Sequence, residues 1–270
     1  PDYPLVLYVQ GKLPEHLARS VGIVGTRTAS SYGREMAYLF AKEIAGHARP
    51  SISGLARGID TAAHEGALQT GETVAVLGSG LLSLYPKENE GLSLRIAERG
   101  AVVSEYPLQT SPTRYTFPRR NRLISAMSRA LFLVEAPNKS GAMLTVEYAR
   151  QQQLPIFVLP GRVDVESFQG NHTLIREGAT LVSSPKELLR SLKDSIEDLI
   201  PEGEVNLKKC LDLSVKEQEI LCLFTDREEN FEKLAFQFSG NVATLGALLT
   251  SLVLKGVVQE YPGKIYKKLF

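Results

Sequence analysis

From about residue 20 to 183, short apolar runs rich in β-branched residues alternate with segments whose apolar positions recur every three to four residues. The runs cover residues 21–25, 50–53, 73–77, 101–104, 131–135, 155–159 and 180–182. They are nearly continuous in apolar character, the pattern of strands buried on both faces of a parallel sheet. The helical segments between them include 33–45, 60–68, 92–99 and 145–153. Strand and helix in alternation predict an α/β fold, a doubly wound, mostly parallel sheet of Rossmann type. Ligands of such sheets bind outside the carboxyl ends of the strands.

Residues 184–213 mix charges of both signs with scattered leucines, and Pro201, Glu202, Gly203 and Glu204 follow. We read a helix over 185–199 and a linker over 201–212. The remainder reads as a separate unit. Ser214 caps a helix that runs through Phe224, with Glu217 three residues on, the capping-box pattern. Helices over 230–238 and 241–254 come next, the second ending before Gly256. A hairpin of 257–261 and 264–269 around Pro262-Gly263 closes the chain. Three helices and a hairpin outline a winged helix-turn-helix. The expected division is therefore 1–200, a linker at 201–212, and a winged-helix domain at 213–270.

Composition narrows the field only a little. The 270 residues are 43% hydrophobic and 23% charged, which excludes wholesale disorder. No apolar run reaches the ~18–20 residues that span a bilayer, and no signal peptide is visible at the start. The first residue is Pro1, so a longer native N-terminus is expected. Cys210 and Cys222 have no CxxC partner, which argues against a disulfide framework or a cysteine zinc site and fits a reducing cytoplasm. The net charge is only +1. A nucleic-acid partner must therefore be argued from where the cations sit.

They sit at strand ends. Gly22–Arg27, Ser53–Asp60 and Pro137–Gly141 each join a strand to a Gly-bearing turn and then a helix. Each turn exposes amides at a helix N-terminus, where the dipole favours an anion. Each also carries a long cation: Arg27, Arg57 and Lys139. In a parallel sheet the three turns leave the same edge and can converge. Glycines that merely make tight connections are the bland alternative. A second feature is an acid-free stretch between Glu105 and Glu135 that holds Arg114, Arg119, Arg120, Arg122 and Arg129, with Tyr115 and Phe117 interleaved. Cations and ring faces suit single-stranded nucleic acid; a solvated arginine face is the alternative.

Enzyme templates fit poorly. There is no GxxxxGK[ST], the first turn is GxxG rather than GxGxxG, no serine sits in GxSxG, and His16, His47, His64 and His172 lack metal-ligand spacing. Asp60 and His64 read as a hydrogen-bonded pair on a helix surface. Glu147 is the single carboxylate placed to act beside the turns, with a surface role as its alternative. The candidate recognition helix 241–254 has no Lys or Arg, so a protein-contact or structural role suits it better than reading a major groove.

The residues VGIVGTR (21–27), SGLARGID (53–60), Tyr85-Pro86, SEYP (104–107), FPRRNRLIS (117–125) and VEAPNKSGAMLT (134–145), in that order, resemble the DNA-processing protein A family, DprA or Smf. The likeness runs over essentially the whole chain, including the tail with its YPGKIY. It implies an extended Rossmann-like fold with a small winged-helix domain. The implied function is sequence-independent binding of single-stranded DNA, protection of incoming DNA and loading of RecA past single-strand-binding protein in natural transformation. It further implies a homodimer without cofactor, metal or catalytic residues. On the matching positions, Arg57 and Lys139 would hold phosphates, Ser53, Gly54, Ser140 and Gly141 would offer groups at helix starts, and Gly25, Arg27, Arg119, Asn121 and Arg122 would line the same face. The rival reading is a nucleotide-binding Rossmann enzyme that hydrolyses N-glycosidic bonds of nucleoside monophosphates, with Glu147 as its carboxylate. A third makes the chain chiefly a RecA adaptor. The sequence departs from the family pattern at 141–146, at Gln152-Gln153-Leu154 and at Gly170-Asn171-His172.

Overall fold

Parallel strands whose residues are apolar on both faces need a helical layer on each side, and that is the arrangement in the computed structural model. It describes residues 3–192, 213–224, 228–238, 240–255 and 257–268. The contacts divide the chain into Pro1–Asp194 and Ser195–Phe270. In the first unit the strands are β1 (Tyr8–Gly11), β2 (Val21–Val24), β3 (Ser51–Ser53), β4 (Thr73–Val76), β5 (Ala101–Ser104), β6 (Ala130–Leu133), β7 (Ile156–Val158) and β8 (Thr180–Leu181). The helices are α1 (Ser31–Gly46), α2 (Ile59–Thr70), α3 (Glu90–Arg99), α4 (Thr116–Ala126), α5 (Gly141–Gln151), α6 (Gln169–Arg176) and α7 (Pro185–Ser191).

One sheet holds all eight strands in the order β1-β5-β4-β3-β2-β6-β7-β8. Only β1 runs antiparallel, pairing Tyr8 with Ser104 and Gly11 with Ala101. The chain builds outward from β2 to β5 on one side, then returns to lay β6 against the other edge of β2, with Val21 opposite Ala130 and Val24 opposite Leu133. The order of winding therefore reverses between β2 and β6, where a doubly wound sheet opens a crevice at its carboxyl edge.

Alternate strand residues feed two cores. Val21, Ile23, Phe132 and Val134 pack with Phe40 and Ile44 of α1 on one face, and the Phe40 and Phe132 rings stack at 4.5 Å. Val24, Ile52, Val76, Leu131 and Leu133 pack with Leu123 and Ile124 of α4 and Val146 of α5 on the other. The structure thus bears out the α/β reading and its seven strands. It adds β1, a short and mostly exposed edge strand with no apolar signature. It also adds helices α4 and α6, and starts α5 four residues before the predicted position, at Gly141. The predicted helix 185–199 is seen through Ser191. Residues 193–199, the linker 201–212, Gly256 and the end of the hairpin at Leu269 lie outside the described residues.

The second unit is α8 (Val215–Cys222), β9 (Glu228–Asn230), α9 (Phe231–Gln237), α10 (Val242–Leu254), β10 (Val258–Tyr261) and β11 (Ile265–Lys268). The predicted hairpin is present, with Val258 opposite Lys268. An unpredicted third strand, β9, pairs with β11. The core of this unit is made by Ile220, Leu234, Leu245, Leu249, Leu252 and Val258, all buried. Ser214 and Glu217 form the expected capping box. Glu217 also reaches across to α10, accepting from Ser251 Oγ at 2.7 Å and from Lys255 Nζ at 2.9 Å. No helix among the described residues is long and apolar enough to cross a membrane.

The hydrogen bonds from Ser251 and Lys255 hold the Glu217 carboxyl down at about 2. A depressed carboxyl stabilises the fold fully above its unfolded pKa of about 4.3 and less as pH falls toward 2. Glu217→Gln should cost the full chain about 2 kcal/mol in the transition of this unit at neutral pH. The gap to wild type should close as pH falls below about 4. Urea titration with circular dichroism at several pH values is the check, and equal midpoints at pH 7 would refute the assignment.

Candidate functional site

The turn after β2, the turn after β6 and the start of α4 meet at the sheet's carboxyl edge. Gly25, Thr26, Arg27, Arg114, Phe117, Asn121, Lys139, Ser140 and Gly141 are among the residues lining a cleft of about 500 Å³ there. A second hollow of about 120 Å³ adjoins it, lined by Gly54, Ala56, Arg57, Tyr85, Pro86 and Thr28. Arg27, Ala56, Phe117 and Arg120 border both. The three sequence-predicted turns thus come together, with Arg57 in the side hollow rather than the main cleft.

Two of the three helix starts are already occupied by carboxylates of the protein itself. At α1 the N-cap is Ser30, whose Oγ accepts from Gly33 N at 2.9 Å. The buried Glu135 carboxylate, just past β6, accepts from Ser30 N at 3.0 Å, from Ser30 Oγ at 2.7 Å and from Ser167 Oγ at 2.6 Å. A Cβ on Gly33 would overlap that carboxylate, so glycine is required there. At α2, Asp60 Oδ2 accepts from Gly54 N at 3.1 Å and Ala56 N at 3.3 Å. The turn between them needs Leu55 at φ +57°, and Leu55 N donates to His64 Nε2 at 3.3 Å. The other His64 nitrogen, Nδ1, lies 2.8 Å from Thr73 Oγ1 and so donates to it. Asp60 and His64 are therefore buried supports of the β3–α2 turn, which corrects the expected surface pair. Burial pushes the Asp60 carboxyl up, against the pull of Arg120. Burial and the Arg120 charge push the His64 ring down to about 3.

The third start, at α5, has no such occupant. Ser140 is its N-cap residue but makes no side-chain cap, and the first turn holds no acid. The Ser140 hydroxyl is buried without a hydrogen-bond partner. Open space lies in front of Gly141, and Lys139 is exposed beside it. Asn121 Nδ2 donates to Gly141 O at 3.0 Å and so holds this helix start against α4.

The remaining predicted residues are placed differently from expectation. Ser53 Oγ is buried and donates to Ile23 O at 2.7 Å. The Gly54 amide is spent on Asp60, and its missing side chain makes room for the Arg120 guanidinium. Arg122 is buried and paired with Glu105, outside both hollows. Arg119 is exposed and lies 3.8 Å from the same carboxylate, also outside them. Arg57 is exposed and paired with Glu88. Glu147 sits on the outer side of α5, accepting from Gln151 Nε2 at 3.3 Å, and does not line the cleft. No cluster of metal-ligating side chains occurs among the described residues.

Nothing in the sequence sets Arg120 apart as a site residue, because its neighbours in the arginine run carry the same charge. It is buried, donates to Gly54 O at 2.6 Å and to Val76 O, and its Nε donates to Asn121 Oδ1 at 3.2 Å. Burial pushes it down to about 10, so it stays charged at neutral pH. Above it the Arg27 guanidinium lies 5.0 Å over the Phe117 ring, a cation–π wall between the two hollows.

Residues 1–193 match the family model described as DNA recombination-mediator protein A. Protein Smf of Escherichia coli K12 is 36% identical over 266 residues, 97% of this chain and 71% of that one. Among solved structures, DNA processing protein A of Streptococcus pneumoniae superposes with TM-score 0.67 at 36% identity, covering 71% of this chain and 68% of that one. DNA processing protein A of Helicobacter pylori, whose structure concerns its single-stranded DNA binding mode, gives TM-score 0.65 at 31% identity, covering 71% of this chain and 88% of that one.

The buried neutral His64 gives a pH signature. Its folded pKa lies below an unfolded value of about 6.5, so its contribution to the stability of the first unit is full above that pH. It should lose about 1.4 kcal/mol per pH unit as pH falls from there toward 3. His64→Gln should flatten this slope in urea titrations between pH 7 and 5. An unchanged slope would assign the proton to another group.

Proposed function

This chain belongs to the DNA recombination-mediator protein A family, and from that premise we propose that it binds single-stranded DNA without regard to sequence, a phosphate lying at the start of α5. One observation carries the reading: of the helix starts that follow β2, β3 and β6, that of α5 is the one without a carboxylate of the protein's own, and it has an exposed lysine at its side. Helix-start amides, the Ser140 hydroxyl and Lys139 suit a phosphate diester, since together they provide donors and positive charge in one direction. Arg27 and Arg114 extend the positive rim along the cleft. None of these groups reads a base edge, so binding is sequence-tolerant.

Arg57 joins the strand only by exchanging Glu88 for a phosphate, because the two are paired at the surface. An exposed pair of this kind is worth little by itself, so a polyanion displaces it readily. Binding, rather than covalent chemistry, is the activity we assign. The hydrolase reading rests on Glu147, which is exposed and does not line the cleft. Protection of incoming strands, RecA loading in the presence of single-strand-binding protein, assembly as a homodimer and action in the cytoplasm complete the proposal as extensions from the family. The winged-helix unit has a recognition helix α10 without cations, which supports a role in protein contact.

Lys139→Ala should weaken binding of a fluorescent single-stranded oligonucleotide about equally for all sequences and lower the slope of log K against log salt by about 0.7. Unchanged affinity and slope would remove the α5 site. Glu88→Gln should act in the opposite sense, tightening binding by a few-fold at low salt by releasing Arg57. Weaker binding in that variant would mean that Glu88 positions Arg57 for the strand instead of competing with it.

A further inference from the structure

The turn that carries Arg57 is held in an unfavourable shape. Leu55 and Gly58 both lie in the left-handed region, at φ +57° and +75°, with Ala56 and Arg57 between them. A leucine stays there only where its surroundings over-determine the backbone. Much of that constraint comes from α2: Asp60 takes the Gly54 and Ala56 amides, and His64 takes that of Leu55. Two carbonyls of the turn take donors from other elements. Arg120 of α4 gives to Gly54 O, and Asn89 Nδ2 gives to Leu55 O at 2.9 Å. Asn89 is buried and ends a short 3₁₀ turn, Lys87–Asn89, just before α3. An asparagine at that position ordinarily caps the helix that follows. Here the side chain makes no such cap. It points across to the Arg57 turn and uses both amide hydrogens there, the second on Thr61 Oγ1 at 2.9 Å. That hydroxyl donates in turn to Ala56 O at 2.7 Å. A carbonyl can only accept, so the chain from Nδ2 through Thr61 to Ala56 O has one direction.

Asn89 thus fixes the two carbonyls that precede Arg57, one directly and one through a hydroxyl. We propose that it is a positioning residue for strand binding, which aims Arg57 at a phosphate by holding the Leu55 and Ala56 carbonyls. This rests on the reading of Arg57 as a phosphate contact. The need for such a residue follows from the surface pair that Arg57 makes with Glu88. An arginine that must exchange Glu88 for a phosphate cannot be held by its head, so its direction comes from its backbone. A backbone fixed in advance leaves less to order when the strand binds. Asn89 is buried behind the turn and lines neither hollow. Its effect on the strand therefore passes through Arg57.

The test uses the full chain and a fluorescent oligo(dT) over a salt series, with wild type, Asn89→Leu, Arg57→Ala and the double variant. Leucine is close to asparagine in shape and lacks its donors. Asn89→Leu should weaken binding nearly as much as Arg57→Ala does. It should also lower the slope of log K against log salt by about 0.7, the share of one phosphate on a single strand. The double variant should bind no more weakly than Arg57→Ala alone. A merely structural role would lower the urea midpoint and leave the salt slope at its wild-type value. Thr61→Val removes the hydroxyl of the relay and should move affinity and slope in the same sense by a smaller amount. It decides the matter if circular dichroism shows Asn89→Leu unfolded. Wild-type affinity and slope in folded Asn89→Leu, or in Thr61→Val where Asn89→Leu does not fold, overturn the proposal. Additive loss in the double variant overturns it too, making Asn89 a support of the whole cleft. Wild-type binding and slope in Arg57→Ala overturn the phosphate role of Arg57 itself and the proposal with it, while the α5 site stands or falls separately on Lys139.

Discussion

A single guanidinium stripped of water holds the working edge of the sheet together. Arg120 is 3% exposed and bonds to the β3–α2 turn, the end of β4 and its neighbour Asn121. A buried charge of this kind is tolerable only when it is paired and its donors are used. Asp60 supplies the opposite charge and is itself fastened to two amides of the same turn. Because Arg120 lies on α4, this network fixes where Phe117 and Asn121 stand, and through Asn121 where α5 begins. The main cleft and its side hollow share this floor.

The same economy decides which helix start remains open. Each parallel strand hands the chain to a helix whose first amides need acceptors. Glu135 takes the Ser30 amide at the start of α1, and Asp60, in the first turn of α2, takes the Gly54 and Ala56 amides of the turn before it, so those two starts are structural. The α5 start is left unsatisfied in a place that Lys139 and the winding reversal between β2 and β6 also mark. Glycine enters this logic at two points. Gly33 admits the Glu135 carboxylate, and Gly54 admits Arg120.

Much of this was legible in the sequence, and the failures have physical causes. Strands such as 131–135 and 73–77 announce themselves because both faces are apolar. Tyr8–Gly11 and Glu228–Asn230 do not, since an edge strand held mainly by backbone pairing leaves little imprint on side-chain pattern. Helix α4 was hidden by its own arginines: Arg120 and Arg122 face inward and break the apolar period that Leu123 and Ile124 begin. The convergence of Arg27 and Lys139 followed from topology alone. The roles of Ser53, Arg122, Asp60 and Glu135 did not, because a polar side chain's task depends on what lies across the fold from it. A serine at a strand end looks the same whether it faces solvent or, like Ser53, a neighbouring strand's carbonyl.

The Arg27–Phe117 wall has a consequence for how length matters to a ligand. Arg27 and Phe117 bound both hollows, so a molecule that fills one holds its next unit beside the other. The second contact then forms at an effective concentration in the millimolar range rather than at that of the bulk solution. A flexible polymer profits from this chelation and an isolated monomer does not.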